Sequence, residues 1–257
     1  MNIDVMAITV PIIAVGLLFL VERFINRKQA MLDLRVKSII TIEVFIVLIG
    51  LVLSSVLLVP LVMLASNLQL FSINALRMPE LIHFVLSFLL IDFIYYINHR
   101  VHHKVPFLWR LHRLHHSDKK VDVLTTWLHH PLEIVTTFIM VIVLFVVFDL
   151  PLVVMIVYGL AMGVHAAFTH LNILLPESVD KYLRIVMVTP NAHKVHHALN
   201  MKDGNSNFGA LFLFWDWLLG TYQYRSNKEL NRMTYGVSKK QSPIKNSLTH
   251  YLINPFK

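Results

Sequence analysis

Residues 99 to 116 read HRVHHKVPFLWRLHRLHH and hold six histidines in eighteen positions. His99, His102 and His103 form one group, and His112, His115 and His116 a second. The same pentad returns as HKVHH at His193, His196 and His197. Positions i, i+3 and i+4 share a helix face, so the spacing predicts that each pentad aims three imidazoles the same way, its basic residue turned elsewhere. With His170, the three pentads supply ten imidazoles, more than the roughly four to six ligands that a single metal takes. The pattern therefore points to two metals with room for a further ligand. Neutral imidazole suits zinc, copper, nickel and iron alike. The chain has no cysteine, which removes thiolate-held zinc, iron–sulfur clusters and thiolate haem. The HExxH signature is missing, and neither a proton relay nor a pH sensor calls for triplicate spacing.

The elements that must position these histidines are apolar. The chain is 56% hydrophobic with a mean hydropathy of +0.62, which reads as an integral membrane protein. The predicted spans lie near 5–21, 38–65, 81–98, 134–148 and 152–169. The first lacks the basic start and cleavage site of a signal peptide and reads as a retained span. Of the 23 lysines and arginines, five fall between 22 and 37, six between 99 and 130, and eleven after 170, against one between 66 and 80. If the spans alternate, one membrane face collects nearly all the basic charge. The positive-inside rule makes that face cytoplasmic, and the net charge of +8 is topological, with no nucleic-acid partner implied.

Along this framework Asp92, Tyr96, His99 and His103 form a polar stripe on the third span. Asp92 reads either as a hydrogen-bonded buried acid or as an acceptor orienting a ligand histidine; Asp118, Asp122 and Asp203 are further candidates for the second role. Pro106 is expected to redirect the chain so that the second pentad faces the first, with Trp109 at the membrane interface. His129 and His130 precede Pro131 at the start of the next span, and either lines the site or sits at the interface. A turn at Asp149–Pro151 makes a hairpin that returns to His165 and His170. These two lie about 140° apart on a regular helix, which favours His170 as the ligand and leaves His165 as either a structural residue or a further metal ligand. A turn at Asp203 and Gly204 follows the third pentad. The aromatic stretch up to Gly220 then packs on the hairpin or lies in the interface.

The stretches HRVHH, HRLHHSD, HHPLE, THLN, TPNAHKVHH and NSNFGALFLFWDWLLGTY together resemble the fatty acid hydroxylase superfamily, which includes sterol desaturases, sterol methyl oxidases and alkylglycerol monooxygenase. The resemblance covers roughly residues 80 to 225. It implies an all-α, polytopic membrane helix bundle with a histidine-rich metal site at the cytoplasmic face. It also implies a di-iron centre of two iron ions, dioxygen as co-substrate, and hydroxylation or desaturation of a fatty acyl, sterol-like or ether lipid. The family's first box falls on His99 and His103, its second on His112, His115 and His116, its third on His193, His196 and His197, and its single histidine on His170. His102 is left outside the first box and is assigned a supporting place. His130 occupies the HPLE position, and His129 stands where an aromatic residue is more usual.

No haem-binding electron carrier is visible in these residues, so the resemblance implies a separate donor, ferredoxin-like or cytochrome-type. The expected organisation is residues 1–79 as N-terminal spans, 80–225 as the catalytic domain and 226–257 as a basic tail. The expected home is a bacterial inner (plasma) membrane. The competing reading from another class is a non-enzymatic membrane metal transporter or sensor, against which stands the lack of a polar stripe through several spans.

Overall fold

The computed structural model describes residues 13–22, 38–44, 77–148, 150–242 and 248–256, together with positions 24, 36, 46, 48, 56 and 60. Helices dominate, and among the described residues there is no strand, only two isolated antiparallel bridges, Met187 with Phe212 and Ala198 with Tyr235. The helices are α1 (Glu80–Lys104), α2 (Pro106–His112), α3 (Pro131–Phe148), α4 (Leu152–Thr169), α5 (Glu177–Leu183), α6 (Pro190–His196), α7 (Met201–Gly204), α8 (Phe214–Leu218), α9 (Asn227–Leu230) and α10 (Leu248–Ile253). Single 3-10 turns at His115–Ser117 and Val123–Trp127 join α2 to α3.

Among the described residues two helices, α1 and α4, are long and apolar enough to cross a bilayer; the apolar stretches Ile13–Glu22 and Pro131–Val141 are shorter. Their outward faces carry large apolar side chains, among them Leu81 and Ile82 on α1 and Leu152, Val153 and Ile156 on α4, as lipid contact requires. Helical residues stand at 13–22 and 38–44, within the two expected N-terminal spans. The rest of those spans lies outside the described residues.

α1 runs six residues past the predicted third span, carrying the first histidine group on its last turns. It stops where Val105 turns extended (φ −88°, ψ 117°) and Pro106 opens α2. The reason is physical: a proline disfavours helical geometry in the residue before it, yet suits a helix's first position. α3 likewise starts on Pro131, and α6 on Pro190 with the Thr189 hydroxyl accepting from Ala192 N–H. Where a glycine-rich turn was expected, Met201–Gly204 forms one helical turn capped by the Asn200 side chain.

α1 and α4 pack through Ile91, Val154 and Tyr158 with Leu211, ringed by Phe88, Tyr95 and Phe212. Leu211 belongs to a non-helical segment, 208–213, that travels along α1 from the histidines toward the helix's middle. Its Phe208 carbonyl meets His99, its Leu211 and Phe212 amides meet Asp92, and its Phe212 ring meets Phe88. That path covers eleven residues of α1, about 16 Å. Buried non-helical backbone must find hydrogen-bond partners within the protein. Asp92 is such a partner, accepting from Leu211 N–H (3.0 Å), Phe212 N–H (3.4 Å), Trp215 Nε1–H (2.8 Å) and Tyr158 O–H (2.8 Å). Asp216 does the same for the amides of Phe208 (2.8 Å) and Gly209 (2.7 Å). The aromatic stretch is thus wedged against α1 and held by two acids.

Candidate metal centre

The histidines converge where the end of α1, α2 with its following 3-10 turn, the end of α4, and α6 meet. Nine of them fall into two groups: His99, His103, His112, His116 and His196 in one, and His115, His170, His193 and His197 in the other. Within each group the ring nitrogens lie within 4.8 Å of one another. The expectation that each pentad aims three rings the same way is corrected. His112 and His116 enter the five-histidine group while His115 enters the second; His193 and His197 enter the second while His196 crosses to the first. Positions i and i+4 differ by about 40° around a helix, whereas i+3 lies about 60° to the other side. A pentad placed between two centres therefore splits two and one. His99 and His103 follow the same rule, and the i+3 residue, His102, turns into α3, its nitrogens on the Asn98 carbonyl (2.9 Å) and the Thr136 hydroxyl (3.1 Å).

Tautomers show whether these rings suit a cation. Nδ1 of His99 meets the Phe208 carbonyl (3.0 Å), that of His112 the Glu133 carboxylate (2.7 Å), that of His170 the Ala166 carbonyl (2.7 Å), and that of His196 the Ser206 carbonyl (2.8 Å). Each partner is an acceptor, so Nδ1 carries the proton and donates, leaving Nε2 a bare lone pair in the neutral ring. Yet Nε2 of His99 lies 3.1 Å from Nε2 of His112. Two lone pairs that close repel unless a positive charge sits between them. In the same group, Nε2 of His103 and of His196 are buried without a partner, a costly state for a polar atom. In the second group Nε2 of His170 faces those of His115 (3.1 Å) and His193 (2.9 Å).

Burial, and then the neighbouring imidazoles, hold His115, His116, His193, His196 and His197 well below the usual histidine value, and burial takes His170 down to about 4. The rings therefore stay neutral near pH 7, the form that binds a metal. All-nitrogen donors of this kind suit iron as they suit zinc or copper.

The remaining candidates lie elsewhere. His130 bonds the Leu252 carbonyl and accepts from Leu132 N–H. His165 is buried beside Phe168 with its Nε2 unpartnered, in neither group. None of the hydrogen bonds of Asp92 goes to an imidazole, which corrects the orienting role considered for it. Asp118 accepts from the Thr125 hydroxyl, Asp122 caps the turn at Leu124, and Asp203 pairs with Arg225. Trp109, expected at the membrane interface, lies against the rings of His103 and His116. Lys194, within the third pentad, is buried with Nζ on the Ile173 carbonyl.

One contributor, Glu133, was not singled out from sequence, and another, His129, had been left open between the site and the membrane interface. Glu133, the acid of HHPLE, accepts from His112 and from His129; its place in the first turn after HHP was the available signal. His129 stacks on His115 with ring centroids 4.3 Å apart. Burial opposes charge on His129, but the charge and hydrogen bond of Glu133, with Glu43 beyond it, outweigh that and raise its pKa. A cavity of about 200 Å³ abuts both groups, lined by His99, His112, His115 and His170 together with Tyr95 and Met162, among others.

A sequence profile described as fatty acid hydroxylase matches residues 84–221. Ornithine lipid hydroxylase OlsE of Rhizobium tropici is 29% identical over 56% of this chain and 43% of its own length. Human alkylglycerol monooxygenase is 28% identical over 64% of this chain and 36% of its own. The chain spans less than half the length of these relatives. No solved structure matches it.

Proposed function

Since this chain belongs to the fatty acid hydroxylase family, matched over more than half its length, we propose that it is a membrane-bound, non-haem di-iron oxygenase that hydroxylates or desaturates a lipid. The observation that carries the reading is the partition of nine histidines, eight of them buried and His99 half-buried, into five and four. His99, His103, His112, His116 and His196 would hold one iron, and His115, His170, His193 and His197 the other. Two irons bound there supply the oxidising power that an unreactive C–H bond demands, with dioxygen as co-substrate. The protein's share is positional. Phe208, Ser206, Ala166 and Glu133 fix four rings through Nδ1, and the cavity presents an alkyl segment beside both groups.

The cavity's wall contains Tyr95, Ile134, Met162 and Ala166 from the three longest helices, so a lipid reaches it sideways with its chain still in the apolar phase. The named relatives act on lipids, which supports that substrate class. Electrons come from a separate ferredoxin-like or cytochrome-type protein. The chain is multi-pass, with the histidine face cytoplasmic in a bacterial plasma membrane; the placement of basic residues supports this. Residues 80–225 form the catalytic domain between N-terminal spans and a basic tail.

The test is elemental analysis of protein purified in detergent, followed by oxygen uptake with a chemical reductant and membrane lipid. Two irons per chain and a hydroxylated or desaturated lipid product are expected. Protein that binds no transition metal, or that exchanges zinc and passes ions across vesicles without consuming oxygen, overturns the proposal in favour of a transporter or sensor.

A further inference from the structure

Among the described residues, Glu133 is the one carboxylate hydrogen-bonded to a member of the histidine groups, and it also bonds a histidine stacked on a member of the other group. Its Oε1 accepts from Nδ1 of His112 at 2.7 Å and from Nδ1 of His129 at 3.0 Å. His112 is the ring on which the five-histidine group turns, with the Nε2 atoms of His99 and His116 at 3.1 and 3.2 Å from its own. His129 lies flat on His115, a member of the four-histidine group, at an interplanar angle of 11°. Glu133 is buried, and its Oε2 has no partner.

Glu133, His129 and His112 could also be viewed as a third metal site, since their donor atoms cluster. The hydrogen bonds argue otherwise. His112 turns Nε2 to the five-histidine group, and its Nδ1 is engaged with the carboxylate, so it has no lone pair left for another cation.

Resting on the di-iron reading above, we propose that Glu133 is the positioning residue shared by both centres. It locks the tautomer and plane of His112 directly, and it braces His115 through the stacked ring of His129. A carboxylate behind a ligand imidazole also raises the basicity of the ring, and loss of such a partner typically costs 10–100-fold in metal affinity. Because Oε1 alone accepts both bonds, glutamine can replace it: the amide oxygen takes both N–H donors, and the amide nitrogen takes the place of the unpartnered Oε2. Aspartate, one methylene shorter, cannot reach.

The experiment compares wild type, Glu133→Gln, Glu133→Asp, Glu133→Ala and His129→Phe, each purified in detergent, loaded with ferrous iron and titrated with a chelator while bound iron is counted per chain. Monodispersity and helical content by circular dichroism separate a folded variant from a collapsed one. Expected is a 10–100-fold loss of iron affinity in Glu133→Ala and Glu133→Asp, rescue to within a few-fold by Glu133→Gln, and weakened binding of one iron of the two in His129→Phe, whose ring keeps the stack on His115 but loses the bond to Glu133; wild-type affinity for both irons in His129→Phe overturns the brace on His115. If the first two collapse, folded Glu133→Gln with a 10-fold or greater loss overturns the positioning role, as does wild-type affinity in folded Glu133→Ala. If wild type itself binds no iron, the di-iron reading fails; if wild type binds two and Glu133→Ala binds two equally well, only the present inference fails.

Discussion

Asp92 offers the sharpest quantitative test of how this fold presents its histidines. It sits midway along a helix able to cross a bilayer, fully buried, and its two oxygens receive four donors: Oδ1 from Tyr158 O–H and Leu211 N–H, Oδ2 from Trp215 Nε1–H and Phe212 N–H. Asp92→Asn leaves one carbonyl oxygen, which can keep Tyr158 and Leu211, and turns an N–H₂ toward Trp215. At about 1–3 kcal/mol for each buried donor left without an acceptor, and with the 3.4 Å Phe212 contact counting for less, the cost is about 2–4 kcal/mol. Tyr158→Phe removes one donor and leaves the carboxylate three others, so it costs about 1–2 kcal/mol. Asp92→Ala abandons three well-formed bonds at once and costs about 3–9 kcal/mol, comparable to the whole stability of a typical domain. The assay is denaturation in mixed micelles monitored by circular dichroism, with bound iron counted in parallel. The same segment carries Phe208, whose carbonyl orients His99, so iron in the five-histidine centre should fall along with stability. Equal stability of wild type and Asp92→Asn refutes the reasoning.

His196→Ala is expected to lower bound iron toward one per chain and abolish oxygenase turnover, and His197→Ala to do the same from the other centre, whereas His102→Ala and His165→Ala retain two; elemental analysis of each variant checks this. Metal-free protein should lose stability as pH falls from about 6.5 toward 4. Over that window the unfolded chain takes up protons that buried histidines refuse, so each contributes up to about 1.4 kcal/mol per pH unit. His170, held down to about 4, accounts for roughly 3 kcal/mol by itself; denaturation midpoints across the range would show the slope, and a flat profile contradicts it. Gly209→Ala should destabilise by about 1–3 kcal/mol, because a Cβ there meets the Phe212 carbonyl at 2.5 Å and Val188 Cγ2 at 2.9 Å; thermal denaturation measures it.

The sequence determined a good deal. A side chain's metal chemistry is a property of the residue, so repeated imidazoles without cysteine already confined the donor set to nitrogen and oxygen. Helix periodicity is local, and proline acts on its immediate neighbours. Hence α4 matches the expected 152–169, and the break at Pro106 is where it was expected. The three pentads were legible for the same reason: their spacing is written in consecutive turns, whereas the choice of nine ligand candidates among ten imidazoles came from the family resemblance.

What only the tertiary structure decided are relations between segments distant in the chain. The 2:1 split of each pentad depends on where α6 docks against α2, because a face 100° wide can serve one centre or straddle two. By spacing His102 was indistinguishable from its neighbours, and only the fold shows Thr136 and the Asn98 carbonyl claiming its nitrogens. Asp92 looked equally able to orient an imidazole or to brace a loop, and the choice was made by backbone amides more than a hundred residues away. Glu133 went unremarked since one acid beside a proline carries no pattern, and its meaning lies in the two histidines that fold onto a single oxygen. Side-chain type and local spacing fix what a residue can do; the packing of distant helices fixes which neighbour it does it to.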